Sequence, residues 1–176
     1  MRKIGFAFFI FIALFLATFQ TSWAKISQPT TASKEITSFE LFWPVVAGKT
    51  MGDPLYILKS LKEKVRGFLI FGKSQKVDYS VFLATKRVVE AEKLINESKR
   101  KLAVETLDKA IVLLESAETK VSNTPGESIS SDTKNNINKQ LENLEIFIPK
   151  LIAQDGNLVG KLQEVLNVVK TLNSKI

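Results

Sequence analysis

Apolar residues recur along this chain at alternating spacings of four and three. One seam runs Val77, Val81, Ala84, Val88, Ala91, Ile95, and a second runs Ala103, Leu107, Ala110, Leu114, Ala117, Val121. A third runs Ile137, Leu141, Leu144, Ile148, Leu151, and a fourth Leu158, Leu162, Val165, Val169, Leu172, Ile176. That spacing keeps each seam on one face of a helix and would scatter it over both faces of a strand. Strand-type alternation is absent, apart from the apolar strip Phe39–Val46. The predicted fold class is therefore all-α: an antiparallel bundle of four long helices plus a shorter leading helix.

The first two seams do not share a phase, because Ile95 and Ala103 stand eight residues apart. A junction at Asn96–Arg100, with Ser98 as a cap, predicts a helical hairpin; one continuous helix with a stutter is the alternative. Residues 122–131, with Pro125-Gly126 in the middle, read as a loop. Pro149 falls inside the third seam, where it lacks an N–H and is expected to kink or end the helix at a cost of about 3 kcal/mol. Asp155-Gly156-Asn157 reads as a turn. Asp53 and Pro54 predict the start of the leading helix, with Leu55, Leu58, Leu61, Val65 and Phe68 at helical spacing and Gly72 closing it. Ser74 is the expected cap of the next helix. The implied organisation is 39–121 for the leading helix and hairpin, the loop 122–131, and 132–176 for a C-terminal helical pair packing on the hairpin.

Residues 1–24 have the three parts of a signal peptide. Arg2 and Lys3 are followed by an apolar run over 4–19, then by Ser22-Trp23-Ala24 with small residues at −3 and −1 of a cut before Lys25. The expectation is export with cleavage after Ala24; an uncleaved N-terminal anchor is the alternative. No Cys stands at the cut, which excludes a lipoprotein. Residues 25–38, rich in Ser, Thr and Ala, read as a flexible spacer. Loss of Arg2 and Lys3 would leave a charge of +5, from 23 Lys+Arg against 18 Asp+Glu.

The chain has no Cys and no His. That excludes disulfides, Cys/His zinc sites and any chemistry that needs imidazole or thiolate. Gly48-Lys49-Thr50 resembles the end of a phosphate loop, but Trp43 stands where that motif needs Gly. Ser98-Lys-Arg-Lys101 and Ser131-Asp-Thr-Lys134 have nucleophile–lysine spacing without any partner motif, and both serines stand where caps are expected. The acid pairs Glu90/Glu92, Glu115/Glu118 and Glu142/Glu145 read as solvated helix faces, and Arg87/Glu90 as a surface pair worth a few tenths of a kcal/mol. Asn96-Glu97-Ser98 is a sequon, read here as part of the helix junction. No catalytic, metal or cofactor site is assigned.

The leading helix is the strongest candidate for a surface contact. It carries Lys59, Lys62, Lys64 and Arg66 beside a run of large apolar residues. A basic amphipathic helix of this kind can lie on an anionic membrane. The competing expectation is that its apolar face packs on the hairpin while its lysines meet solvent. Phe42 and Trp43 in the Phe39–Val46 strip complete the candidate contacts; Pro44 holds Trp43 away from helix. Clustered arginines with interleaved aromatics are missing, so nucleic acid is not an expected partner.

Three stretches have a familiar look: Pro44-Val-Val-Ala-Gly48, Asp53-Pro-Leu-Tyr-Ile-Leu-Lys-Ser-Leu-Lys-Glu-Lys64 and Leu83-Ala-Thr-Lys-Arg-Val-Val-Glu-Ala-Glu-Lys-Leu94. Over about residues 43–120 the chain resembles a family of exported bacterial helical domains catalogued as a domain of unknown function. The resemblance implies export and a helical fold and brings no activity. At the helix junction the family pattern calls for Gly or Asp, and this chain has Asn96-Glu-Ser-Lys-Arg100. The expected function is a non-catalytic extracytoplasmic module for protein–protein interaction, self-association or envelope structure. The alternative is peripheral binding to anionic membrane or cell-wall polymer through residues 54–71, and a hydrolase is the remote third.

Overall fold

A computed structural model describes residues 37–123 and 129–176. The expected signal peptide, residues 1–24, and most of the expected spacer lie outside the described residues. Among the described residues there are six α-helices, one 3-10 turn and no strand. They are α1 (Ser38–Phe42), α2 (Tyr56–Leu69), α3 (Lys73–Asn96), α4 (Arg100–Ser122), α5 (Ser131–Gln154) and α6 (Val159–Asn173), with the 3-10 turn at Gly156–Leu158.

Helices α3 to α6 form the bundle, and the four seams are its core. The packed pairs are α3 with α4, α4 with α6, α6 with α5, and α5 with α3, which places α4 and α5 on a diagonal. Polar contacts fix the directions. Asp78 accepts from Asn136 at the starts of α3 and α5, and Gln154 reaches Asn96 at their ends, so those two helices run parallel. Lys161–Asp108 and Lys175–Glu118 set α6 parallel to α4 in the same way. Between them, Val81, Ala84, Val88, Leu107, Leu114, Leu144 and Leu162 are fully buried. Burial of each such side chain contributes roughly 1.5–3 kcal/mol for the larger ones.

The hairpin junction is a Schellman turn. The Lys99 N–H donates to the Leu94 carbonyl and the Ser98 N–H to the Ile95 carbonyl. Ser98 itself takes the left-handed conformation, φ 58°. It therefore supplies the turn, whereas the N-cap residue of α4 is Lys99, with no side-chain cap. At the same end of the bundle Asp155 caps the 3-10 turn and accepts from Arg100 Nε at 2.6 Å, tying the start of α4 to the α5–α6 turn. Pro149 neither ends nor interrupts α5, which continues to Gln154.

Local boundaries differ from expectation at the N-terminal end. The expected extended strip is helical over Ser38–Phe42, because Thr37 and Glu40 form a reciprocal capping box. Thr37 and Ser38, expected in the spacer, are the N-cap and the first residue of that helix. Trp43 then turns extended before a cis Pro44. Helix α2 starts at Tyr56, not at Pro54, and the Asp53 carboxylate accepts from the Leu55 N–H at 2.8 Å. Gly72, at φ 100°, lies between α2 and α3 and stands as the N-cap residue of α3 in place of Ser74.

Candidate functional site

Helix α2 lies on the α3–α4 hairpin in the opposite sense to a globular amphipathic helix. Its inward face carries Tyr56, Lys59 and Glu63, spaced three and four apart. Its apolar residues point out. Ile57, Leu58, Leu61, Val65 and Leu69 are exposed, and Phe68 and Phe71 reach 83% and 84% exposure. The expectation that this apolar face packs on the hairpin is overturned. The reason lies on α3, whose facing turn presents Lys86, Arg87 and Glu90, groups that only another charged surface can satisfy.

Five charged side chains close the joint. Arg87 Nη1 donates to both oxygens of Glu90 at 2.8 Å, and its other terminal nitrogen donates to Glu63. Lys86 Nζ reaches Glu63 at 2.7 Å. Lys59 donates to Glu90 and to the carbonyls of Ala47 at 2.9 Å and Lys49 at 2.5 Å. Arg87/Glu90 is therefore not the weak surface pair expected: Arg87 is buried and Glu90 is 0% exposed. The Tyr56 ring lies under three cations, with Lys59 and Arg87 at 5.7 Å and Lys109 at 5.1 Å from its centroid. A second tie runs from the Tyr79 hydroxyl to the Glu63 carbonyl at 3.0 Å. Gly67 lets the helices approach here, since a Cβ on it would stand 3.2 Å from the Tyr79 ring.

The electrostatics follow from burial and pairing. Burial pushes the Glu63 carboxyl up, but hydrogen bonds and charge from Lys86 and Arg87 outweigh it and hold the group below its ordinary value. Burial holds the Lys59 ammonium below its ordinary value despite Glu90. Burial raises the Tyr56 phenol. The two carboxylates of the joint are both occupied by cations, which makes the cluster a clamp and leaves neither carboxylate open to a metal ion.

The six candidate contact residues separate into two groups. Lys62, Lys64 and Arg66 are exposed on α2, and Trp43 is 67% exposed. Lys59 is turned inward into the clamp. Phe42 is 4% exposed, packed edge-on against Phe147 with ring centroids 5.4 Å apart, so it belongs to the core. Glu63, Arg87 and Glu90 carry the joint and were not read as a unit from sequence. The available signal was the placement of Arg87 and Glu90 within the run Val88, Val89, Ala91, where solvent-facing charges do not fit.

Beneath α2 the hairpin surface forms a trough of about 680 Å³ walled by α2, α3 and α4. A smaller cavity of about 320 Å³ lies between the Leu41–Val45 segment, Arg66, Tyr79 and α5.

A family model described as "Domain of unknown function (DUF5667)" matches residues 48–150, more than half of the chain. The match takes in α2, the charged clamp, the hairpin and most of α5, so it extends beyond the 43–120 resemblance at its C-terminal side. No curated protein and no solved structure matches the chain. The chain belongs to the DUF5667 family.

Proposed function

We propose that this family member is a non-catalytic, exported helical module that attaches peripherally to an anionic membrane surface through α2. The observation that carries the reading is the outward apolar face of that helix. At about 100° per residue, Ile57, Phe68, Leu61, Val65, Leu58 and Leu69 fall in one arc of about 120°. Lys64 borders that arc on one side, and Lys62 and Arg66 on the other. Large exposed apolar patches rimmed by polar residues mark interaction surfaces. Flanking lysines can extend along apolar surface and place their charge at lipid headgroups. The clamp contributes by holding α2 with its apolar face away from the bundle.

Two further features favour lipid over cell-wall polymer or a protein partner. The apolar face is one helix wide and convex, which suits insertion at the headgroup boundary. Its charges are of one sign, which suits phosphatidylglycerol-type surfaces. The test is co-sedimentation of the full chain with vesicles of phosphatidylcholine alone or mixed with phosphatidylglycerol, at low and high salt. Pelleting on anionic vesicles that weakens with salt is the expected result. No pelleting on either vesicle, with a self-associated species in solution, would move the apolar face to a protein partner or a second copy of the chain.

A further inference from the structure

We propose that the cavity between the Leu41–Val45 segment, α3 and α5 is a saccharide-binding site, with Asp78 accepting from sugar hydroxyls and Trp43 and Phe82 forming the apolar wall for the ring. This goes beyond membrane attachment and does not depend on it. The cavity holds about 320 Å³, at the lower end of the range of small-molecule sites, which suits a mono- or disaccharide. The segment leaving α1 contributes Trp43 and Pro44, α3 contributes Asp78, Tyr79 and Phe82, and α5 contributes Asn136, Lys139, Gln140 and Asn143. Asn143 donates to the Leu41 carbonyl at 2.7 Å, which fixes the segment on α5.

Asp78 is half-buried in this wall. Its Oδ1 accepts from the Asn136 amide at 2.7 Å and from the Gln140 amide at 3.3 Å, and its Oδ2 has no partner among the described residues. Burial raises the Asp78 carboxyl above its ordinary value, and the two amides offset only part of that. A carboxylate so placed gains from any donor that a ligand brings. Asn136, Gln140 and Asn143 each spend an N–H inside the protein and keep an amide oxygen as acceptor. The cavity therefore calls for a ligand rich in donors. Charge narrows the choice. Arg66 and Lys139, both exposed, share the lining and disfavour a cation, while Asp78 disfavours an anion. Neutral hydroxyls meet both signs, because each donates and accepts. The remaining wall is aromatic. Trp43 is 67% exposed and is held edge-on by Phe39, with ring centroids 4.6 Å apart. Phe82 stacks on Tyr79 at 6.2 Å. Such rings cover the C–H face of a sugar ring, as they do other apolar surface. A purely apolar compound would leave Asp78 and the amides unmatched, and an amino-acid zwitterion would leave the amides idle.

The experiment is calorimetric titration of the full chain with cellobiose, maltose and N,N′-diacetylchitobiose, and with phenylalanine as the zwitterionic comparison. Saturable binding of at least one disaccharide at one per chain, at least tenfold tighter than phenylalanine, is the expected result. A free sugar and the end unit of a glycan present the same ring. Co-sedimentation with insoluble chitin or cellulose would assign the glycan end, and binding of the disaccharide alone the free sugar. Asp78→Asn removes an acceptor and its charge and should weaken binding about tenfold. Trp43→Ala, a substitution at an exposed position, should weaken it by a similar factor. Leu61→Glu with Phe68→Glu on the outward face of α2 should leave it unchanged, which separates this site from vesicle attachment. No saturable binding of any of the three disaccharides, equal or tighter binding of phenylalanine, or full affinity in either the Asp78→Asn or the Trp43→Ala chain with an unaltered melting curve would overturn the assignment.

Discussion

Arg87 and Glu90 stand one helical turn apart on α3, and Arg87 Nη1 lies 2.8 Å from both carboxylate oxygens of Glu90. Within the bundle alone this would be an ordinary i, i+3 pair. It becomes a clamp because Lys59 and Glu63 arrive from α2 with the complementary charges. Removing one partner from a buried ion cluster leaves the others uncompensated. Glu90→Ala should therefore cost about 3 kcal/mol, read as a lower urea midpoint. The amides of α2 should exchange faster in this variant, while those of α5 and α6 change little at matched stability. A loss below about 1 kcal/mol would mean that the cluster is not what holds α2 in place.

The same clamp predicts an acid limb. Glu63 is held below its ordinary value of 4.5 in the folded chain. A depressed carboxyl contributes stability that is present above the unfolded pKa and is lost as pH falls through the folded one. The wild-type chain should lose stability as pH drops below about 4.5. Glu63→Gln should start less stable at pH 7 and show a shallower slope over that acid range. Chemical unfolding at several pH values measures both slopes, and parallel curves would assign the acid sensitivity to other carboxylates.

The bundle was legible in the sequence because a seam spaced four and three has one helical solution. Val81, Leu107, Leu144 and Leu162 sit in the core where their spacing puts them. The orientation of α2 was not legible. Periodicity says which residues share a face, and it is silent on whether that face turns toward the protein. Leu58, Leu61, Val65 and Phe68 have the spacing of a buried stripe and are exposed. Only long-range pairing decides the matter, and the partners of Lys59 and Glu63 lie 31 and 24 residues away, at Glu90 and Arg87. The short helix Ser38–Phe42 was missed for a local reason. Its capping box depends on Thr37, which composition assigned to the spacer.

Membrane attachment should respond separately to the two halves of the α2 surface. Lys62→Gln, Lys64→Gln and Arg66→Gln together remove three charges at about 1 kcal/mol each near an anionic surface, so affinity for phosphatidylglycerol vesicles should fall about 100-fold. Leu61→Glu with Phe68→Glu should abolish binding at any salt. Lys59 is left out of the charge set because it pairs with Glu90 inside the clamp, and changing it would disturb the fold. Vesicle binding that survives the first set and fails in the second would show insertion without electrostatic help.

The junction between α3 and α4 has an unused margin of stability. Ser98 holds φ 58° in the Schellman turn, a conformation that costs a side-chain-bearing residue about 1–2 kcal/mol relative to glycine. Ser98→Gly should raise stability by about 1 kcal/mol, offset in part by the greater freedom glycine gives the unfolded chain. Ser98→Val should lower it, because a β-branched residue is poorly tolerated there. Thermal melts of the two variants should move in opposite directions, and a shift of both in the same direction would contradict the turn geometry.

Thr85 carries a different kind of strain. It is 1% exposed on α3, and among the described residues its hydroxyl oxygen has no hydrogen-bond partner. A helical threonine commonly donates to the carbonyl four residues back, as Thr106 does to Leu102 at 2.7 Å. Thr85 makes no such bond and bears the desolvation cost of a buried hydroxyl without return. Valine keeps the shape and the β-branch and removes the polar atom. Thr85→Val should therefore stabilise the chain by about 1 kcal/mol, whereas Thr106→Val, which deletes a satisfied bond and its donor together, should be close to neutral. The same urea series measures both, and a destabilised Thr85→Val would show that the hydroxyl is satisfied in solution.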